Sequence, residues 1–153
     1  FYEASRKSVL RGADGIVFVA DSQIPLLDAN LESFDGLRRN CLQQDIDLMR
    51  IPLVFQYNKR DLQYLIPVET FNNLLNPRRS PWMEAVAING VGVFETLREI
   101  SKLTVPVVRE RLFGDRARQD ATGHSGHTTR TLIKSRKEVE EELDKLSREY
   151  AGK

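Results

Sequence analysis

Ile51-Pro52-Leu53-Val54-Phe55-Gln56-Tyr57-Asn58-Lys59-Arg60-Asp61 is the stretch on which the fold turns. The first seven residues, mostly apolar, read as a buried strand. Asn, Lys, any residue and Asp then follow at its carboxyl end, where open parallel α/β sheets bind their ligands. An ionised carboxylate has two acceptor oxygens, so Asp61 suits the paired N–H donors of a guanine edge. Adenine lacks that donor pair. The Lys59 stem can lie over a flat base while its ammonium stays in water. The Asn58 amide donates and accepts, which suits it to tie this loop to its neighbours.

Working outward, residues 15–20, Gly-Ile-Val-Phe-Val-Ala, form a second apolar run ending at Asp21-Ser22. Its continuous apolarity predicts a strand buried on both faces. Asp28-Ala29-Asn30 offers N-cap candidates for a helix with Leu31, Phe34, Leu37, Cys41 and Leu42 on its apolar face. Pro67-Val68-Glu69 opens a short helix carrying Phe71, Leu74 and Leu75, stopped near Asn76-Pro77. Trp82 to Ala87 reads as a weaker third strand. From about Gly92 a long amphipathic helix follows, and Pro106 is expected to kink or split it. Strands alternating with helices predict right-handed βαβ units and a parallel sheet. Three strands are few for such a sheet, and they leave an apolar edge to be covered.

Composition changes after Phe113. Residues 114–131 are rich in Gly, Ser, Thr, Asp, Arg and His and read as a flexible linker. Residues 132–150 carry Leu132, Val139, Leu143, Leu146 and Tyr150 at helical spacing among charges, which predicts an amphipathic helix able to pair with a partner. The whole chain has 153 residues, 41% hydrophobic and 29% charged, enough for one globular domain with an appendage. A net charge of +1 gives no electrostatic case for nucleic acid or an anionic membrane. The single Cys41, with no Cys/His cluster around it, fits a reducing cytoplasmic setting. No run reaches the roughly 20 apolar residues of a membrane span.

The loop at Val86-Ala87-Ile88-Asn89-Gly90 is a second nucleotide-like element, because a backbone N–H there could donate to a guanine carbonyl oxygen. Phosphate chemistry is not encoded in these residues: no Gly-x-x-x-x-Gly-Lys-Ser/Thr occurs. Gly12-Ala13-Asp14-Gly15 and Gly90-Val91-Gly92 are too short and lack the Lys. Asp120-Ala121-Thr122-Gly123 matches an Asp-x-x-Gly pattern, but it follows the base-binding loops with no strand before it and reads as coincidence. His124 and His127 lack the further ligands a metal site needs. Asp21 at a strand end lacks the paired acids of a phosphoacceptor site.

Together these residues resemble the Ras-like small GTPases of the bacterial gliding-motility (MglA) type. Phe1 to Lys7 followed by Gly15 to Gln23 is similar to that family's segment from switch II into its next strand. Gln56 to Asp61 matches its base-specificity motif, and Gly90 to Leu97 its entry into the last helix. The resemblance covers residues 1–113 and implies a P-loop NTPase-like, three-layer parallel sheet that is incomplete on its N-terminal side. It implies that Asn58 stabilises the loop, Lys59 packs over the base, Asp61 reads guanine, and the Ala87 backbone, with Ile88 beside it, meets the guanine carbonyl oxygen. Val86 stands where many members have Ser and Ile88 where many have Lys, yet a backbone contact at Ala87 survives both changes.

The implied cofactor is GTP or GDP. Mg²⁺ and phosphate ligands are expected only in a longer parent, a GTP-hydrolysing switch, so no catalytic or metal-ligating residue is assigned here. The implied partner is a roadblock-type activating protein of polarity or motility machinery. The alternative is a non-catalytic GTPase-like module that binds another protein through its sheet and helical tail.

Overall fold

The computed structural model describes residues 8–121. The expected linker beyond residue 121 and the helix over 132–150 lie outside them, as do His124 and His127. The chain divides into two compact units at Val105/Pro106. In the first, β1 (Ile16–Asp21), β2 (Leu53–Asn58) and β3 (Trp82–Glu84) form a parallel sheet in the order β1-β2-β3. Helix α1 (Leu27–Leu42) connects the first two strands, and α2 (Val68–Leu75) the next two. Helix α3 (Val93–Ala121) starts in the first unit.

One face of the sheet carries the core. Phe18 lies opposite Phe55 and Ala20 opposite Tyr57 in the β1–β2 register. Phe34 of α1 meets both phenylalanines, with ring centroids 5.0 and 5.5 Å away. Tyr57 stacks on Phe71 of α2 at 4.7 Å. Such rings each bury large areas and gain further from their mutual orientation. Burial pushes the Tyr57 phenol well above its ordinary pKa, and it stays protonated to donate to Asn72 Oδ1 at 2.8 Å. Cys41, fully buried on the inner side of α1, is a packing residue with its thiol pKa likewise raised by burial.

The opposite face departs from expectation. Strand β2 is buried on both faces, but β1 alternates: Val17 is 37% and Val19 52% exposed. Gln56 explains the asymmetry. It donates to Thr96 Oγ1 of α3 at 2.8 Å, so α3 runs over β2. Just before β1 the helix comes close enough that a Cβ on Gly15 would overlap Thr104.

Three further differences are local. Asp28 and Asn30 lie inside α1 and do not cap it, since the helix starts at Leu27. Of the two outcomes expected at Pro106, a kink or a split, the split does not occur: α3 runs through the proline, which removes one N–H from the ladder. That helix continues to Ala121, past Gly114 where the linker was expected to begin.

Candidate base-binding site

The carboxyl ends of the three strands bring the candidate residues together. Asn58 ends β2 and lies opposite Asp21 of β1 in the parallel register. Immediately after β3, Ala85 N–H donates to Tyr57 C=O at 2.8 Å, and Arg60 N–H donates to Ala85 C=O at 3.1 Å. The loop after β2 and the loop after β3 are therefore one hydrogen-bonded unit.

Asn58 joins them a second time. Its Oδ1 accepts from Ala87 N–H at 2.9 Å. Asn58 thus links the loop after β2 to the loop after β3 through the backbone N–H of Ala87. Ala87 starts a short 3₁₀ turn (Ala87–Asn89) that carries Ile88 into solvent. Gly90 and Gly92, both at φ +77, return the chain into α3. A Cβ on Gly92 would overlap Glu84 C=O and lie 2.9 Å from Ala85 Cα, so only glycine lets the turn lie against β3. Gly90-Val91-Gly92 is therefore a packing turn.

Lys59 adopts a left-handed φ of +64, which points its side chain back across the strand ends. Its Nζ meets Asp21 Oδ2 at 2.7 Å. Lys59 is 51% exposed and Asp21 16%, so the pair is half-solvated and orients the stem more than it stabilises the fold. Asp21 is itself fixed. Its Oδ1 accepts from Gln23 N–H, and its backbone N–H and C=O are both taken by the Asn30 carboxamide, at 3.0 and 2.8 Å.

Arg60, expected to be a free choice in the motif, is a staple. Its guanidinium bonds Glu84 Oε2 at 2.7 Å and Ile66 C=O at 2.8 Å. Asp61 is different. It is exposed, and its carboxylate has no hydrogen-bond or ion-pair partner among the described residues.

The site therefore holds a free two-oxygen acceptor, a half-exposed lysine stem and a backbone amide, arranged around three laced strand ends. The donor set fits a planar base with adjacent N–H donors and a carbonyl oxygen. It does not fit a metal: no group of three or more His, Cys, Asp or Glu side chains able to hold one occurs among the described residues.

No family model matches the chain. It is 51% identical over 110 residues to the mutual gliding-motility protein MglA of Myxococcus xanthus strain DK1622. The matched stretch is 72% of this chain. The chain belongs to the MglA type of Ras-like GTPases. The parallel sheet with its flanking helices is the corresponding part of a P-loop GTPase α/β fold. The match spans 56% of the relative's length, a little over half. Within this MglA-type chain, the residues that sequence reasoning missed were Asp21, Asn30 and Arg60. The signal for Asp21 was available: parallel pairing of the two apolar runs puts their terminal polar residues, Asp21 and Asn58, side by side.

Proposed function

We propose that these residues form the guanine-binding part of a Ras-like GTP/GDP switch, acting in gliding motility or cell polarity. The observation that carries this reading is Asp61: an unpartnered carboxylate at the carboxyl end of β2, on a loop fixed by Arg60 and Asn58. In this reading Asp61 accepts from the guanine N1–H and amino group. Lys59, steered by Asp21, covers one face of the base. The Ala87 backbone, with Ile88 next to it, meets the carbonyl oxygen.

GTP or GDP is then the ligand, and its phosphates and Mg²⁺ are held by groups outside the described residues. Those groups supply nearly all of the catalytic stabilisation in phosphoryl transfer, so this chain alone is expected to hydrolyse no GTP above background. A roadblock-type activating protein is the proposed partner and the cytoplasm the proposed setting. No helix among the described residues is long and apolar enough to cross a membrane.

The test is nuclear magnetic resonance on the ¹⁵N-labelled chain. GDP is expected to shift the amides of Lys59, Asp61, Ala87 and Ile88, and ADP to leave them in place. Asp61→Asn is expected to transfer the response to XDP, because an Asn amide donates to the xanthine carbonyl as a carboxylate cannot. Equal responses to GDP and ADP would overturn the proposal. Mg²⁺-dependent phosphate release by the chain alone, abolished by Asp61→Ala, would overturn the division of labour within it.

A further inference from the structure

The amino end of β3, opposite the base loops, opens on a separate cavity of about 690 Å³. Asn72, Asn73 and Asn76, Arg79, Ser80 and Trp82 line it, and no acidic side chain does. Arg79 is exposed, and its guanidinium has no hydrogen-bond or ion-pair partner among the described residues. Asn72 Oδ1 is occupied by the Tyr57 hydroxyl, but its amide N–H donors are free among those residues. The lining thus offers several hydrogen-bond donors and one uncompensated positive charge.

This wall is held rigidly. Arg79 sits at φ +53, a left-handed conformation that is strained for a residue with a Cβ. Its N–H is anchored on Asn76 C=O at 2.9 Å. The Asn76 carboxamide brackets Ser80, accepting from its N–H at 2.8 Å and donating to its C=O at 2.7 Å. Arg78, next to the unpaired arginine, donates to the carbonyls of Leu48 and Ile51. Trp82 stacks on Tyr57 at 5.9 Å, and Tyr57 in turn stacks on Phe71, yet Trp82 keeps 40% of its surface exposed. A strained backbone that its surroundings over-determine is a mark of a functional site. Here it presents a free guanidinium beside a buttressed indole.

We propose that this cavity binds a short acidic segment of a partner protein. A carboxylate of that segment pairs with Arg79, whose planar fork matches carboxylate geometry. The Asn73 carboxamide, with a donor and an acceptor, matches one peptide unit. A neighbouring apolar side chain lies on Trp82. Arg and Trp are the residue types that dominate protein–protein affinity when they anchor a contact. Polyanionic partners do not fit as well, because a net charge of +1 supplies no extended positive field.

Trp82 is the sole tryptophan of the chain, so its fluorescence reports on this cavity directly. The probes are a pooled set of ten-residue peptides with a central Glu and randomised apolar and small neighbours, and the same set with Gln at the centre. The Glu set is expected to shift Trp82 emission and the Gln set to bind at least tenfold more weakly. Arg79→Glu, at an exposed position that leaves the core intact, is expected to abolish the response to the Glu set. The same variant is expected to gain one to a central-Lys set. Trp82→Phe, read by anisotropy of labelled peptide, is expected to keep the preference for Glu. No response to either set, equal responses to Glu and Gln, or an unchanged response in Arg79→Glu would overturn the proposal. So would anionic phosphatidylserine vesicles or single-stranded oligonucleotides that shift Trp82 emission more strongly than the Glu set.

Discussion

Replacing Gly92 by Ala should cost far more than replacing Gly90 by Ala, although both glycines have φ +77. At Gly90 an added Cβ meets nothing within 4 Å, so the loss is the left-handed strain of an L-residue, about 1–2 kcal/mol. At Gly92 the same strain applies, and the Cβ also overlaps Glu84 C=O and crowds Ala85. Those atoms belong to the backbone leaving β3, so no rotamer change relieves the overlap. The turn must lift away. Lifting it removes the paired bonds between Val86 and Val91, at 3.0 and 3.2 Å, each worth about 1 kcal/mol. The expected total for Gly92→Ala is about 3–5 kcal/mol, a large part of the roughly 5–15 kcal/mol of a typical domain. Urea unfolding followed by Trp82 fluorescence reads both variants, compared at constant m-value. Equal losses at the two positions would show that crowding against β3 is not what requires glycine at position 92.

Asn30→Ala should destabilise by about 2–4 kcal/mol, because two part-buried backbone groups of Asp21 lose their partners at about 1–3 kcal/mol each. The same urea titration checks it, and a loss below about 0.5 kcal/mol would mean that water replaces the amide. The pH dependence follows from Tyr57, whose folded pKa is raised from 10.0 by burial. The folded state therefore holds the proton more tightly, so the contribution of this phenol is complete below pH 10 and is lost as pH rises above it. Thermal melts of wild type and Tyr57→Phe between pH 8 and 11 should show a steeper alkaline decline in wild type. Val19→Lys should reduce self-association of the chain, because Val17 and Val19 expose an apolar strip on a strand paired on one side only among the described residues. Light scattering over a concentration series reads this, and an unchanged profile would place any association elsewhere.

The three strands, their parallel pairing and the placement of Asn58 and Ala87 on loops at the carboxyl ends of two of them were legible because each depends on local pattern. Apolar runs mark strands, and polar residues after them mark the binding end. What was not legible depends on which element covers which. Gly15 to Ala20 and Leu53 to Tyr57 look alike as apolar runs, yet α3 lies over β2 through Gln56 and leaves Val17 and Val19 exposed. Asn30 has the residue type of a helix cap, yet tertiary placement uses its amide to hold Asp21. Arg60 occupies the motif position open to any residue, and its staple to Glu84 and Ile66 exists only once three separate segments meet.

The bond from Ala87 N–H to Asn58 Oδ1 bears on how such a site prepares itself. A base carbonyl that approaches Ala87 finds the donor already engaged. An N–H can be shared between two acceptors, so the incoming oxygen either shares this one or displaces Asn58 Oδ1. The intramolecular bond costs little to give up, because exchange between comparable acceptors is nearly neutral. Before any ligand arrives, however, it holds the loop after β3 against the loop after β2, and the ordering entropy of both loops is already spent. Asp61, by contrast, has no stand-in partner among the described residues. In the proposed site, Asp61 therefore carries the discrimination between bases, while Asn58 and Ala87 carry the preorganisation that makes it effective.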